Sequence, residues 1–311
     1  MSFSIHTNRS AMTALATLRL IDAQLDTTMQ RVTTGLRVND ASDNSAYWSI
    51  ATTLRSDIKA KDTVLDALGL SRAMADIASA GMSQAVDIAA EIKSKLALAS
   101  EPGVDKTKIN KELAELKAQL GNVAQSASFN GQNWLYGSPG TVSMPASIKD
   151  YGGFVSVGYI EIDKGQTVLI DPADDANGIL TRDRNVTTQG GSAEAFYLLG
   201  AGTSPTAREI ALDANTTADD LTGMMRAMDR IEQDLIDANA LIGVKAKGIE
   251  RQEAFTKKLI EVSKKALGRL VDADMAEEST RLKALQAQKQ LAIQSLSIAN
   301  TQADSILQLF R

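Results

Sequence analysis

The chain has 311 residues, with 33 Lys and Arg against 38 Asp and Glu and a net charge of −5. The basic residues are scattered, which excludes the concentrated positive surface that binding to nucleic acid requires. Cysteine is absent, so disulfides, thiolate metal sites and cysteine nucleophiles are excluded as well. No apolar run approaches the ~18 residues of a transmembrane helix, and the first residues lack the basic start and compact apolar stretch of a cleaved signal peptide. We expect no membrane insertion, and export would need a route other than the general secretory one.

Proline and glycine divide the chain into three parts. All five prolines lie between residues 102 and 205, and most of the glycines and aromatic residues lie between residues 129 and 202. Because proline breaks helix interiors, both ends are free to form long helices, while the middle is a different kind of structure. This arrangement predicts a chain that goes out and returns, with its ends close together.

The first helical segment carries apolar residues in alternating steps of three and four, which is the spacing of a coiled-coil seam. Asp22 is the one polar break in this stripe, and Ile21 lies beside it. We expect the seam to pair with a second helix. It consists of Leu15, Leu18, Leu25, Met29, Val32 and Leu36.

Two further helices follow in the sequence. A helical stripe runs from residue 54 to residue 96 and stops near the Glu-Pro-Gly at residues 101–103. Another helix begins at about residue 106. It ends before Asn130-Gly131, a dipeptide that signals a tight turn.

The middle of the chain predicts a small β structure. Residues 154–162 and 166–170 have the pattern of two strands, and Lys164-Gly165 between them suits a tight turn. A β-hairpin is therefore expected near residues 154–170. The fold of residues 172–215 stays open, because their first part shows no sustained period.

Apolar residues at helical spacing from residue 221 to 266 predict a return helix of about 45 residues, nearly 70 Å long at ~1.5 Å per residue. The last segment repeats the first seam, interrupted by Glu278 and Lys289. Residues 290–303 carry no charge, and apolar residues on several sides of this helix imply burial by other subunits. Its seam consists of Met275, Leu282, Leu285, Ala292, Leu296, Ala299, Ala303, Ile306 and Phe310.

Two long stretches resemble one family. Residues 33–51, TTGLRVNDASDNSAYWSIA, are similar to the bacterial flagellin signature that leads through Asn and Asp residues into the second helix. Residues 269–310 are similar to the flagellin C-terminus throughout. The resemblance covers residues 1–137 and 216–311. The motifs AYWSIA and SILQLFR are most similar to flagellins of soil, rhizobial-type α-proteobacteria.

The periodicities and the resemblance imply a mainly α fold: a long coiled-coil and helical-bundle rod formed by both ends of the chain, with a small β-containing central region. The expected domains are an inner terminal coiled coil of residues 1–36 and 270–311, a helical rod of residues 37–137 and 216–269, and a surface-exposed central region of residues 138–215. By the same resemblance, a spoke loop joins the two inner domains, and its side chains suit local bonding to the backbone. The spoke loop contains Gly35, Asn39, Asp40, Ser42, Asp43 and Asn44.

The resemblance also implies a function. A flagellin is a structural subunit that self-assembles by its terminal helices into the flagellar filament, the propeller of motility. Such a protein is extracellular, is exported unfolded through the flagellar secretion channel, is not an enzyme and has no cofactor. Its expected partners are many copies of itself, with or without sister flagellins, and the export chaperone, filament cap and junction proteins. The alternatives are a hook-filament junction protein of the same architecture and a non-flagellar coiled-coil surface protein.

Several residues have both a chemical and a structural interpretation. The only histidine, His6, is interpreted as incidental, because one histidine does not make a zinc site. Asp40 and Asp43 lack the glycine and terminal glutamate of a calcium loop, so we interpret them as structural. Four acidic residues lie where the last helix begins, and the helix dipole explains them better than a bound cation. They are Asp272, Asp274, Glu277 and Glu278.

The remaining candidates also favour a structural protein. The methionines Met224, Met225 and Met228 are interpreted as core residues of a helix. No His-Glu-x-x-His helix is present in the middle of the chain, which argues against the zinc protease that some flagellins carry there. Residues 86–97, VDIAAEIKSKLA, lack the arginines that enteric flagellins present to the host innate receptor, so we expect weak receptor activation.

Overall fold

The computed structural model describes residues 8–151, 154–200 and 207–309. His6 and Phe310 lie outside the described residues. The chain forms two compact units: the first comprises Met1–Lys59 and Ile260–Arg311, and the second comprises Ala60–Leu259. Both ends of the chain therefore belong to the first unit, and the middle forms the second.

Helices make up most of the described chain, which confirms the mainly α fold. They are α1 (Arg9–Thr34), α2 (Ser45–Leu98), α3 (Lys106–Ser126), α4 (Ala218–Val271) and α5 (Met275–Leu309). With 54 residues, α4 is longer than the return helix that its apolar stripe predicts. It starts before the first apolar position of that stripe and continues past the last one.

Side chains with short polar groups set the helix ends. Asn8 accepts a hydrogen bond from the backbone N–H of Ala11 at the start of α1 (2.9 Å). Asp105 does the same for α3 through the N–H of Thr107 (3.0 Å). At the end of α1, Gly35 takes the left-handed conformation with φ 71° and donates its N–H to the carbonyl of Arg31. Glycine alone adopts this conformation without strain.

In the second unit, α3 and the adjoining parts of α2 and α4 share one apolar core. Met224 and Met228 are fully buried, and Met225 packs against the same core, which confirms the core interpretation of these methionines. Other large, fully buried side chains of these helices include Leu68, Met82, Ile92, Leu96, Leu113 and Leu120.

The turn predicted at Asn130-Gly131 is confirmed. It joins the short strands β1 (Ser128–Phe129) and β2 (Gln132–Asn133), which pair antiparallel. Asn130 has φ 49° and Gly131 has φ 75°. Two successive positive values are typical of the type I′ turn, for which Asn-Gly is the preferred sequence.

The larger hairpin lies upstream of the predicted one. β3 (Thr141–Tyr151) pairs antiparallel with β4 (Phe154–Asp163), whereas Lys164–Gln166 forms a short 3-10 helix. The prediction that residues 166–170 pair with β4 is therefore wrong. Proline is confined to edge strands and bulges, and the register shift between Pro145 and Ser147 accommodates it in β3.

Residues 172–215, whose fold the sequence leaves open, contribute a small sheet. It consists of β5 (Arg184–Thr187), β6 (Ala193–Tyr197) and β7 (Arg208–Glu209), with β6 antiparallel to β5 and parallel to β7. Phe196 of β6 is fully buried and approaches α4 closely, because a Cβ atom on Gly223 would lie 2.8 Å from its ring. The sheet thus packs into the core of the second unit.

A second close approach yields a testable prediction. Gly81 of α2 is buried, and a Cβ atom there would lie 2.9 Å from Cδ1 of Leu135 and 3.0 Å from Cβ of Ala127. Gly69 of the same helix is exposed and has open space around it. We expect Gly69→Ala to stabilise the protein by about 0.5–1 kcal/mol through helix propensity. Gly81→Ala should instead destabilise it by about 1–2 kcal/mol, because the core must shift.

Urea unfolding followed by far-ultraviolet circular dichroism measures both effects. The two substitutions are chemically identical and lie in one helix, so Gly69→Ala is the matched control. Equal stabilisation by both would show that the core around Leu135 yields freely, contrary to this packing argument.

Candidate assembly surface

Within the first unit, α1 and α5 pair antiparallel. Asn8, just before α1, donates a hydrogen bond to the carbonyl of Ala299 near the end of α5 (2.9 Å). Arg31 near the end of α1 reaches Glu278 at the start of α5 (3.1 Å). The terminal helices lie side by side, as the distribution of proline and the seams predict.

The pairing face of α1 has two buried residues that lie outside the predicted seam. These are Ile21 and Thr28, at 8% and 3% exposure. Leu15 and Met29 are instead 38% and 49% exposed, which corrects the predicted intrachain seam at these two positions. The sequence signal for the difference is Ile21 itself, a large apolar residue next to the polar break at Asp22.

Three residues belong to both the predicted seam and the pairing face. Leu18, Leu25 and Val32 are half-buried along α1. Two different stripes of residues, each with spacings of three and four, can include these three residues. This is possible because a helix has 3.6 residues per turn, a value between three and four. In the structure, the buried stripe is the one that contains Ile21, and the neighbouring Asp22 is half-buried at its edge.

In α5, the buried and half-buried residues follow the predicted seam more closely than they do in α1. Leu285 is buried, and Leu282 and Leu296 are half-buried, as are Ala292 and Ala299. Met275, in the first turn, is 43% exposed. The backbone at Ile306 belongs to α5, but its side chain lies outside the described residues, as does Phe310. The role of this line in contacts between subunits stays a prediction.

Four charged residues on or beside the two apolar lines form two ion pairs between α1 and α5. Lys289 of α5 lies 2.8 Å from the carboxylate of Asp22 in α1. The hydrogen bond and the negative charge of Asp22 raise the pKa of Lys289. Arg31 of α1 lies 3.1 Å from the buried carboxylate of Glu278. The signal in the sequence is that Asp22 and Lys289, which interrupt the two seams, carry opposite charges.

The spoke loop is tied to the segment between α4 and α5 by backbone hydrogen bonds. The N–H of Ala273 donates to the carbonyl of Gly35 (2.9 Å), and the N–H of Arg37 donates to the carbonyl of Val271 (2.7 Å). Leu36, the last seam residue of the first segment, forms an isolated bridge with Asp272. A small apolar cluster of Val38, Ala51 and Val271 lies beside this bridge, and Leu36 packs against it.

Local hydrogen bonds shape the rest of the spoke loop, as predicted for its composition. The carboxylate of Asp43 accepts from the N–H of Asn39 (2.9 Å) and of Asp40 (3.2 Å). These two bonds lower the pKa of Asp43. The side chain of Asn44 accepts from the N–H of Tyr47 (3.0 Å) and so caps the first turn of α2. Ser42 is exposed.

The acidic group at the start of α5 acts on the helix, which confirms the structural interpretation. Asp274 accepts hydrogen bonds from the N–H groups of Ala276 (2.9 Å) and Glu277 (3.2 Å). Glu277 pairs with Arg281 one turn later (3.1 Å). Carboxylates in this position satisfy free N–H groups and stabilise the helix dipole.

Large apolar side chains remain uncovered on the two terminal helices. The pairing of α1 with α5 covers only one side of each helix, whereas apolar residues also lie on the other sides. We call this set the exposed apolar surface. It consists of Met12, Leu20, Leu291, Ile293 and Ile298, which are 64%, 60%, 64%, 49% and 66% exposed.

The lysines of residues 86–97 are engaged in ion pairs. Lys93 lies 2.6 Å from Asp229 and 2.8 Å from Glu232, and these carboxylates raise its pKa. Lys95 lies 2.6 Å from Glu112. Weak activation of the host receptor stays a prediction.

Neither a metal site nor a membrane helix is found in the part of the chain that the structure describes. Its His, Asp and Glu side chains form no group of three or more that could hold a metal ion. None of its helices is long and apolar enough to cross a membrane.

Comparison with known proteins identifies the family. The bacterial flagellin N-terminal helical region matches residues 5–139, and the bacterial flagellin C-terminal helical region matches residues 225–310. The chain belongs to the bacterial flagellins. Flagellin C of Rhizobium meliloti (strain 1021) is 51% identical to it over 99% of both chains. Flagellin D of the same strain is 40% identical, and a flagellin of Brucella melitensis biotype 1 is 36% identical, each also over 99% of both chains.

Membership of this family settles the class of protein. Flagellins are the structural subunits of the bacterial flagellar filament, so the chain is a filament subunit that serves motility and is not an enzyme. Copies of the same chain are its partners in that filament, which lies outside the cell. The resemblance to rhizobial flagellins is confirmed as well.

The hydrogen bonds of Asp43 generate a prediction about pH. Because its pKa is lowered in the folded chain, its stabilising effect is present above the unfolded pKa of ~3.9 and is lost as pH falls through the folded pKa. At neutral pH we expect Asp43→Ala to destabilise the first unit by about 1 kcal/mol and to expose the Asn39 and Asp40 amides to faster hydrogen exchange. The difference from the native chain should shrink at acid pH, as pH falls through the folded pKa.

Hydrogen exchange at neutral pH and thermal unfolding at neutral and acid pH measure these effects. Asp40→Ala is the control, because the side chain of Asp40 accepts a bond only from the exposed side chain of Asn39 among the hydrogen bonds described. A stability difference that persists undiminished at low pH would contradict the assigned role of the carboxylate.

Proposed function

We propose that this flagellin assembles through the exposed apolar surface of α1 and α5, which neighbouring copies cover in the filament. The observation that carries the proposal is the exposure of five large apolar side chains on helices whose pairing face is already occupied. Large exposed apolar areas are typical of interaction sites, and these five side chains all lie on the two terminal helices. Residues 290–303 also carry no charge that burial would have to neutralise.

The expected energy of assembly is substantial. Full burial of one large apolar side chain contributes roughly 1.5–3 kcal/mol, part of which offsets the entropy of fixing the side chain and the subunit. Because the covered and covering surfaces differ, the contact is heterologous. A heterologous contact that does not close into a ring extends into an open helix. A filament is the product that follows.

The proposal extends to the layers of the filament and to the route of export. Residues 1–36 and 270–311 form the inner tube, residues 37–137 and 216–269 form a second shell, and residues 138–215 face the solvent. The subunit leaves the cell unfolded through the flagellar secretion channel, with the help of an export chaperone, and joins the filament beneath a cap. Junction proteins connect the filament to the hook. These partners are inferred from membership of the family.

Seeded growth tests the assembly surface. Purified chain is mixed with short filament fragments, and elongation is followed by electron microscopy. We expect the intact chain to extend the seeds and a variant lacking residues 271–311 to fail. Leu291→Gln with Ile298→Gln should reduce elongation at least about tenfold, because about two buried side chains at 1.5–3 kcal/mol each are lost from every contact.

Val157→Gln with Tyr159→Gln is the matched control. Both residues are exposed on β4, at 43% and 56%, and lie in the region that is proposed to face solvent. Normal growth of the Leu291 and Ile298 variant would show that assembly uses another surface. Failure of the intact chain to extend any seeds would favour a junction protein, present in few copies.

Single cysteines test the layers, since the native chain has none. Ile298→Cys is expected to react with a water-soluble maleimide in the free chain, where this position is 66% exposed, and at least about tenfold more slowly in the filament. Val157→Cys should react equally fast in both. Fast reaction of Ile298→Cys in intact filaments would place α5 at the surface and overturn the proposed layering.

A further inference from the structure

We propose that two ion pairs, Asp22 with Lys289 and Arg31 with Glu278, fix the register in which α1 and α5 pair. The inference rests on the proposed function, because this pairing positions the exposed apolar surface. The two pairs join atoms 2.8 Å and 3.1 Å apart. Three of their members, Asp22, Glu278 and Lys289, interrupt the apolar lines that the sequence predicts, and Arg31 lies beside the line of α1.

Apolar packing does not select this register. The apolar positions recur every seven residues, in α1 from Leu18 through Leu25 to Val32 and in α5 from Leu285 to Ala299. Moving one helix along the other by seven residues, about 10 Å, again places apolar residues opposite apolar residues. A coiled coil held by these residues alone would therefore have several registers of similar stability.

The charged residues distinguish these registers. A slip of seven residues in one direction places Asp22 opposite Leu296 and Arg31 opposite Leu285. A slip in the other direction places Asp22 opposite Leu282. Each slipped register removes the partner of a charge. The loss is largest for Glu278, whose side chain is 7% exposed, and smaller for Asp22 and Lys289, whose side chains are 42% and 40% exposed. The observed register is the one in which both pairs form. The backbone hydrogen bonds from Ala273 to Gly35 and from Arg37 to Val271 hold the same register at one end of the helix pair, and the ion pairs hold it along the helices.

The geometry of the Arg31–Glu278 pair indicates that it selects the register more than it stabilises the helix pair. Glu278 is buried, and its Oε1 accepts a hydrogen bond from Arg31 and lies 3.5 Å from Nη1 of Arg281. Among the described residues, none donates to its Oε2, and none accepts from the buried Nε of Arg31. A buried ion pair with unused polar atoms adds little to stability compared with apolar residues. Selection of register is the best-attested role of such groups in coiled coils.

Distances between spin labels report the register directly. Labels are attached to Ala16→Cys and Lys283→Cys, which are exposed on α1 and α5 and offset along the helix pair. A slip of about 10 Å then changes the distance between the labels by about 6 Å or more. Pulsed electron spin resonance measures it in seeded filaments, with labelled chains diluted into unlabelled ones, and also in the free chain.

The decisive variant carries leucine at all four positions: Asp22→Leu, Lys289→Leu, Arg31→Leu and Glu278→Leu. We expect one narrow distance in the native chain and at least one additional distance in this variant, with the helix content of both unchanged. Asp22→Lys alone should broaden the distribution, and Asp22→Lys with Lys289→Asp should restore the single distance. An exchange of Lys247 and Glu250, which form an exposed pair on α4 (2.9 Å), is the control and should change nothing.

Two results would overturn the inference. One is a single unchanged distance in the four-leucine variant, and the other is a broad distribution in the native chain in both states. The proposed function fails separately, because seeds that do not grow are seen by microscopy without labels. In that case a narrow distance in the free native chain that the four-leucine variant loses would still support the register inference.

Discussion

Two paired helices can cover only one side of each other, and the terminal unit is governed by this limit. Along the described side chains of α5, burial is confined to Glu278 and Leu285, with half-buried residues on the same line. Leu291 and Ile298 protrude on other sides although they are as apolar as any core residue. The incompleteness of the unit is therefore geometric. No rearrangement of the same two helices would bury all of these side chains at once, and in the proposed assembly further chains supply the missing contacts.

The second unit is not subject to this limit, because it contains a third helix and three small sheets. Trp134 and Leu135 follow β2 and are buried against the helical core, and Phe196 fills the space left by Gly223 on α4. The central region is thus more closely integrated with the helices than the expected division into rod and surface region implies. Its apolar residues complete a core within one chain. This unit has an extensive core of its own although Val244 and Phe255 stay 65% and 55% exposed, whereas α5 of the terminal unit has only two buried side chains among those described.

Features that depend on a few neighbouring residues were predicted correctly from the sequence. Where two patterns were nearly equivalent, the sequence did not indicate which one the structure adopts. The Asn-Gly turn, the acidic start of the last helix and the long proline-free helices each depend on a few neighbouring residues, and the structure confirms them. The strand that pairs with β4 is decided by contacts between residues distant in the sequence. Residues 166–170 have the pattern of a strand, but β4 pairs with β3. The pairing face of α1 was ambiguous for another reason. Ile21 and Leu15 lie on lines that share half their residues, and only the packing against α5 decides between them.

Register matters more in a filament than in an isolated coiled coil. Each chain presents the sides of α1 and α5 that its own pairing leaves free, so a slip of seven residues inside one chain would shift Leu291 and Ile298 relative to α1 by about 10 Å. A neighbour that packs on both helices would then meet the wrong surface. Because every subunit offers the same contact to the next, apolar attraction alone would favour growth without enforcing a single geometry. Charges at a few positions supply the missing selection at little cost in stability, since a slipped pair loses two favourable interactions while the correct pair loses none.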